Sequence, residues 1–396
     1  MAALFSTHAP SVLIVGAGVI GASVAWHLVA RGARDVVLLD AGDAPGAGST
    51  ARATGGFRVQ FATAPNVMLS LLAREKLRRF ADDTGGDAGY RPVGYLFLAH
   101  DAAALAAFRD ARAVQHACGA PETIELTPAQ AAAINPHVEL DGAVGAAWGP
   151  ADGTIRPMGI LRGYLDDAQR RGARVRWGAR VAHVDRAADG RIAAVHADGE
   201  RWTPDVVVNA AGAWAGALAQ RCGVSLPVRP VRRQIAVSRP VPAPLDDGFP
   251  MTIWTRDAFH LRVRDGRALL NWPVDTPGAN GDAWDLSLHR PWLDAVRAFT
   301  DARVPALRGV PLDDAAHWVG LYEMSPDKTL ILGVDDACPN LVLANGSSGH
   351  GVMHAPAIGQ LVAELILDGR TGALDARPFR PSRFAEGDAL PVSDLL

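Results

Sequence analysis

The chain has 396 residues, 49% of them hydrophobic and 20% charged, with a formal net charge of −3. That length is more than one ordinary core serves, so two domains are expected. The slightly acidic balance lacks the basic field that holds nucleic-acid phosphates, and no nucleic-acid partner is expected. Lys76 and Lys328 are the only lysines. The three cysteines, Cys118, Cys222 and Cys338, are widely spaced and form no C-x-x-C. That argues against a disulfide framework or a zinc site and fits a reducing compartment, so a cytoplasmic protein is expected.

The first informative stretch is VLIVGAGVIGASVAWHLVA, residues 12–30, which carries no formal charge at pH 7. A secretory signal would place Lys or Arg ahead of it, and MAALFSTHAPS has neither. A membrane span is only just possible by length. Gly16, Gly18 and Gly21 interrupt the run in the spacing G-x-G-x-x-G. A nucleotide-binding reading accounts for each part. Residues 12–15 form a buried strand, and the glycines allow a tight turn and close backbone approach to a pyrophosphate. Residues 19–31 form a helix whose N-terminus faces that anion. Gly32 ends the helix, residues 36–39 form a second parallel strand, and Asp40 closes it. An acid there accepts hydrogen bonds from adenosine ribose hydroxyls and repels a 2′-phosphate. The stretch is read as a dinucleotide site with no membrane span; it does not separate NAD from FAD.

Residues 44–61, APGAGSTARATGGFRVQF, are rich in glycine and small hydroxyls. Ser49 and Thr50 are placed to cap a short helix and bind a phosphate. Gly55 and Gly56 let backbone lie against a flat ring, although the segment also reads as a flexible loop. Residues 90–100 read as a strand and 101–118 as an Ala-rich helix. TPDVVVNAAGAWA (203–215) holds a buried strand, 206–209, that ends in small residues suited to passing under an adenine. VRRQIAVSRP, MTIWTRDAFHLRVR and RALLNWPV read as successive strands, with Pro-rich RPVPAPLDDGFP as a connector. Residues 339–369 give a strand, a Gly-Ser loop and a long helix whose free amides at 349–352 form a second anion site. From Arg377 on, the tail reads as a surface strand or loop.

In chain order, VLIVGAGVIGASVAWHLVARGARDVVLLDAG, GSTARATGGFR, TIRPMGILRGYLDDAQRRGARV, DVVVNAAGAWA, GLYEMSPDKTLILG and ANGSSGHGVMHAPAIGQLVAELI stand at matching places in a known family. They resemble the FAD-dependent oxidoreductases that include D-amino acid oxidase, glycine oxidase and monomeric sarcosine oxidase. The nearer side is that of sarcosine oxidase and dimethylglycine dehydrogenase. GGFRVQFATAPNVMLSL also resembles the less characterised FAD-dependent oxidoreductase domain proteins. The resemblance implies an α/β chain, α+β overall. A Rossmann-like FAD-binding domain would take 10–90, 148–227 and 318–372. A substrate domain on a mixed or antiparallel sheet would take 91–147 and 228–317, leaving 373–396 as a tail. FAD contacts are implied from Gly16, Gly18, Val19, Ile20, Gly21, Asp40 and Ala41, and from Ser49, Thr50, Arg52, Gly55 and Gly56. Further contacts are implied from Val181, Ala211, Gly212 and Trp214, and from Gly346, Ser348, Gly349, His350, Gly351, Val352 and Met353.

Enzymes of that family move a hydride from a C–H beside nitrogen to the flavin, which calls for a basic partner for a substrate carboxylate and a dry face. No metal is called for. Arg58, in GGFR, matches an arginine beside the flavin in sarcosine oxidase, for the flavin edge or a carboxylate; the plain alternative is a structural salt bridge. On an alternating strand His260 and Arg262 share a face, and Arg262 is the preferred bidentate carboxylate clamp. The alternative is that both face solvent. Tyr322 matches a tyrosine over the substrate, or packs as a core tyrosine. His350 reads as a flavin contact and His354 as a packing residue.

The departures also inform. Gly320-Leu321-Tyr322 stands where sarcosine oxidase carries its flavin-linking cysteine, and Arg52 where dimethylglycine dehydrogenase carries its linking histidine, so noncovalent FAD is expected. Met353 replaces a carboxylate-binding lysine. Leu269 falls near the oxygen-activating lysine, which leans toward a dehydrogenase or slow oxidase. The expected substrate is a small amine or amino acid, sarcosine-like, a D-amino acid or an imino acid. The alternatives are a noncatalytic FAD-binding assembly protein and an NAD-dependent dehydrogenase; a role in tRNA modification is disfavoured by the acidic balance. The sequence assigns no oligomeric state.

Overall fold

A computed structural model describes residues 11–274 and 286–392. Residue 10 of the expected first segment, 275–285 of the expected substrate domain and 393–396 of the tail lie outside the described residues.

Val12–Val15 is a strand with every residue buried. It is flanked by Val36–Leu39 and Val206–Asn209, both parallel to it. These form the centre of a six-stranded sheet in the order Ile331–Asp335, Cys338–Asn345, Val206–Asn209, Val12–Val15, Val36–Leu39, Arg174–Arg176. Only Ile331–Asp335 runs antiparallel to its neighbour. Alternation splits the central strand between two cores. Val12 and Ile14 pack against the helices Val19–Ala30, Pro157–Arg170 and Gly351–Asp368. Leu13 and Val15 pack against the three-stranded sheet of Val181–Arg186, Ile192–Ala197 and Glu200–Trp202. A parallel strand buried on both faces reads as an unbroken apolar run, which is why VLIV was legible.

The second large sheet has eight strands among the described residues. Its order is Trp318–Met324, Arg229–Pro240, Arg267–Asn271, Phe259–Arg264, Met251–Trp254, Tyr95–Ala99, Gly145–Gly149, Ile124–Leu126. It is mixed: Met251–Trp254 runs parallel to Tyr95–Ala99 and the other pairs are antiparallel. One face packs on the helix Arg290–Arg303 through Trp254, Leu261, Leu270 and Trp292. The other face carries Tyr95, Arg262, His260 and Asn271, and it looks toward the nucleotide-type sheet.

Two segments differ from the sequence reading. Trp318–Met324, assigned there to the cofactor domain, pairs with Arg229–Pro240 over seven registered positions as the edge of the eight-stranded sheet. The tail is the loop of the two alternatives, with short turns at Arg377–Phe379 and Pro381–Phe384, but it is anchored rather than merely superficial. Phe379 and Arg383 are both 0% exposed. Arg383 donates Nε and Nη2 to the two carboxylate oxygens of Asp327 at 2.8 and 2.9 Å, a bidentate pair that fixes the tail.

Candidate active site

The glycine loop follows from contacts that only a missing side chain permits. Gly16 has φ +108°, and a Cβ there would lie 2.2 Å from the Ala210 carbonyl oxygen. A Cβ on Gly21 would lie 1.9 Å from the Gly16 oxygen, so Gly21 lets the helix Val19–Ala30 sit against the loop. The Asp40 carboxylate is oriented by two backbone donors, Ala17 N–H at 2.7 Å and Gly42 N–H at 2.8 Å. Thr50 Oγ1 accepts from Val19 N–H at 3.1 Å. Ser49 Oγ donates to the Leu321 carbonyl at 2.7 Å. Neither side chain caps the short turn Thr50–Arg52, as the sequence reading had it. Thr50 instead serves the first turn of the long helix, and Ser49 ties the loop to the eight-stranded sheet.

Between the two large sheets lies a cavity of about 510 Å³. Its wall includes Gly16, Gly18, Val19, Ile20, Asp40, Ala41, Ser49, Thr50, Arg52, Gly55 and Gly56. Val181, Ala211, Gly212, Trp214, Gly349, Gly351, Val352 and Met353 complete the set of expected residues that reach it. Gly21, Gly346, Ser348 and His350 stand behind the wall. Ser348 holds the turn, accepting from Ser325 N–H at 3.1 Å and donating to the Gly346 carbonyl at 2.9 Å.

The donor set fits FAD. A glycine cradle and an anchored Asp40 stand at one end, and the first turns of Val19–Ala30 and Gly351–Asp368 both border the cavity. No Cys or His is among the described residues that line it.

The far end gathers cations and phenols. Arg58 is buried, its charge held between the faces of Phe61 (4.0 Å) and Phe97 (5.6 Å). It donates Nη1 to the Gln60 carbonyl at 2.5 Å and Nη2 to His350 Nε2 at 3.0 Å. Burial pulls it down to about 10, still cationic at neutral pH, and Tyr95, Asp152 and Tyr322 oppose that shift. Tyr322 lines the cavity, with the Arg233 guanidinium 5.6 Å from its ring. Burial raises Tyr95 above its ordinary value, against the pull of Arg262 and Arg58. Asp152 is pushed up to about 6 by burial. It accepts from Val59 N–H at 2.6 Å and Gln60 Nε2 at 3.0 Å, fixing the backbone beyond Arg58.

Three of the four expected catalytic residues do not touch the wall. Arg262 is neither solvent-facing nor a free clamp: it is 4% exposed and donates Nη1 to the carbonyls of Thr54 and Gly55. With Arg264, which reaches Ala53 and Thr54, it braces the 53–55 loop from behind. His260 spends both ring nitrogens, Nδ1 on the Ala258 carbonyl at 2.9 Å and Nε2 on Asn271 Nδ2 at 3.0 Å. Burial drops it to about 4, so it is a neutral structural imidazole. Arg58 lies behind Tyr322. His354 packs as expected, with Nε2 2.8 Å from Ser70 Oγ. Six polar wall residues went unread: Thr54, Arg180, Arg221, Arg233, Glu323 and Ser347. For Arg233 the available signal was alternation with Ile235, which also lines the cavity. Glu323 and Ser347 lie within segments already singled out, next to Tyr322 and inside the Gly-Ser loop.

Comparison with known proteins agrees with this architecture. FAD-dependent oxidoreductase domain-containing protein 1 of Bos taurus is 29% identical, over 97% of this chain and 87% of its own. Glycine oxidase of Geobacillus kaustophilus is 27% identical, over 95% and 98%. The crystal structure of L-proline dehydrogenase from P. horikoshii superposes with a TM-score of 0.86 at 26% identity, covering 96% of this chain and 99% of that one. The family model described as DAO, FAD dependent oxidoreductase, matches residues 11–365. An NAD-dependent dehydrogenase is thereby set aside: this chain belongs to the DAO family of FAD-dependent oxidoreductases.

Proposed function

We propose that this enzyme oxidises the C–N bond of a small amine that carries a carboxylate, an amino acid or an N-alkyl or imino acid, with FAD held noncovalently in the 510 Å³ cavity. The observation that carries the reading is the grouping of Arg58, Arg233 and Arg262 around Tyr322 and Tyr95 at the end away from Asp40. Such a grouping of two buried arginines with Arg233 on the wall attracts an anion. Bound FAD supplies the hydride acceptor for the C–H next to nitrogen.

The protein's own part is orientation and exclusion of water. Arg233 on the wall draws the carboxylate, with the charge of Arg58 adding to it from behind Tyr322; Tyr322 stands over the substrate and Ile235 keeps the site dry. Arg262 and Arg264 hold the loop on which the flavin ring rests. The names of the relatives, glycine oxidase and L-proline dehydrogenase, fit a carboxylate-bearing amine. Leu269, buried opposite Arg262 in the sheet, offers no cation for oxygen, so a dehydrogenase or slow oxidase is favoured.

The test is anaerobic bleaching of the flavin spectrum by glycine, sarcosine, proline and D-amino acids, each paired with its decarboxylated amine. Bleaching by an acid and not by its decarboxylated counterpart supports the reading. Equal bleaching by both, or none with any member, overturns it.

A further inference from the structure

Two buried polar atoms on the cavity wall have no hydrogen-bond partner among the described residues: Glu323 Oε2 and Ser347 Oγ. Glu323 is 8% exposed and Ser347 4% exposed. They are built as a pair, since Ser347 N–H donates to Glu323 Oε1 at 3.2 Å and Ser348 N–H donates to the Glu323 carbonyl at 3.0 Å. The Ser347 hydroxyl and the Gly346 N–H come close enough to favour the ionised carboxyl, yet neither the hydroxyl nor Oε2 reaches full hydrogen-bond geometry with a described group. Leaving such groups dry and unpaired is costly, so a site of this kind is made for a ligand.

Their place says which part of the ligand. A Cβ built on Gly351 would lie 3.2 Å from Ser347 Cβ and 3.5 Å from Ile20 Cδ1. Ser347 therefore sits against the first turn of the helix Gly351–Asp368, where that turn meets Ile20 of the helix Val19–Ala30. Bound FAD would set its pyrophosphate at the first helix and its flavin ring at the second, and the hydroxyl-bearing ribityl linker would join them. Each of its hydroxyls donates one hydrogen bond and accepts others, which matches a carboxylate oxygen beside a serine hydroxyl.

We propose that Glu323 and Ser347 hold the ribityl linker of FAD, Glu323 Oε2 accepting from one hydroxyl and Ser347 Oγ bonding a second. This rests on FAD lying in the cavity as read above. Burial pushes the Glu323 carboxyl up to about 7, and a donating hydroxyl would return it toward the ionised form.

The experiment uses the full-length flavoprotein. Free-flavin fluorescence on dilution gives Kd for FAD, and exchange gives Kd for its arabityl epimer, which differs only in the linker. The wild type should prefer FAD by about tenfold or more. Ser347→Ala, which removes one oxygen, and Glu323→Leu should each weaken FAD about tenfold and shrink that preference toward one. Glu323→Gln, which keeps an acceptor, should recover part of it. Unchanged FAD affinity in Ser347→Ala, or equal losses for FAD and its epimer, would overturn the proposal. Absence of flavin from the wild type would instead overturn the cavity assignment itself.

Discussion

At the scale of single residues, the arginines divide by what their guanidinium groups already hold. Arg262 has committed Nη1 to two loop carbonyls, so its removal strikes the flavin-side backbone before it strikes substrate. Charged donors on buried carbonyls contribute about 1.5–3 kcal/mol each. Arg262→Ala is therefore expected to weaken FAD at least about tenfold, read as loss of flavin on dilution. A variant with full flavin and a raised KM would restore Arg262 as the carboxylate clamp. Arg58 is equally committed, but away from the flavin-side loop. Its partners are one carbonyl, one imidazole and two aromatic faces, and its charge is felt at Tyr322. Arg58→Ala should leave the flavin spectrum in place and raise KM for a carboxylate-bearing amine several-fold, by removing a positive charge behind Tyr322. A KM that stays put while flavin is lost would move Arg58 into the cofactor site. The sequence could propose both arginines, because a guanidinium near a flavin segment is a local signal. It could not divide their roles, because that depends on which carbonyls the 53–55 loop turns toward strand Phe259–Arg264.

Among elements, legibility tracked how local the constraint is. The strand at Val12–Val15, the helix from Val19 and the strand at Val36–Leu39 were read to within a residue of their ends. Their apolar runs and glycine spacing lie within one stretch of chain. The helices Ala64–Arg78 and Arg290–Arg303 went unread, although the second is strongly amphipathic and turns Trp292, Leu293 and Val296 inward. The pairing of Trp318–Met324 with Arg229–Pro240 is set by tertiary register, as is the burial of Arg383 against Asp327. Such contacts join residues far apart in sequence, and periodicity does not report them. Gly21 shows the local kind of constraint at work. It does not border the cavity, yet a methyl there would meet the Gly16 oxygen at 1.9 Å. Overpacking costs about 1–3 kcal/mol, and here the displaced atom belongs to the pyrophosphate loop. Gly21→Ala should lower the thermal midpoint and weaken FAD together. A variant of wild-type stability that still loses FAD would mean that Gly21 faces the cofactor after all.

For the whole molecule, the buried titratable groups set a pH dependence whose sign can be worked out. Burial lowers His27 and His354 to about 3 and His260 to about 4. The folded state keeps these imidazoles neutral while the unfolded chain protonates them below about 6.5. Their contribution is present above that pH and is lost as pH falls. Asp152 at about 6 and Glu323 at about 7 act in the other direction. They retain protons in the folded state that the unfolded chain gives up near pH 4, so stability falls as pH rises through their window. Between pH 4.5 and 6 these imidazoles, joined by His100 and His317, which burial also lowers, oppose the raised carboxyls of Asp152, Glu323 and Asp335. The imidazoles and the paired carboxylates prevail, and stability should drop on acidification. Urea midpoints across that range, on protein stripped of FAD, measure it, since bound cofactor adds its own linkage. His354→Asn removes one imidazole and should make the slope shallower by about 1.4 kcal/mol per pH unit. A slope equally steep in that variant would show that His354 is already protonated in the folded protein. Its contact with Ser70 would then be that of a charged donor rather than of a neutral ring.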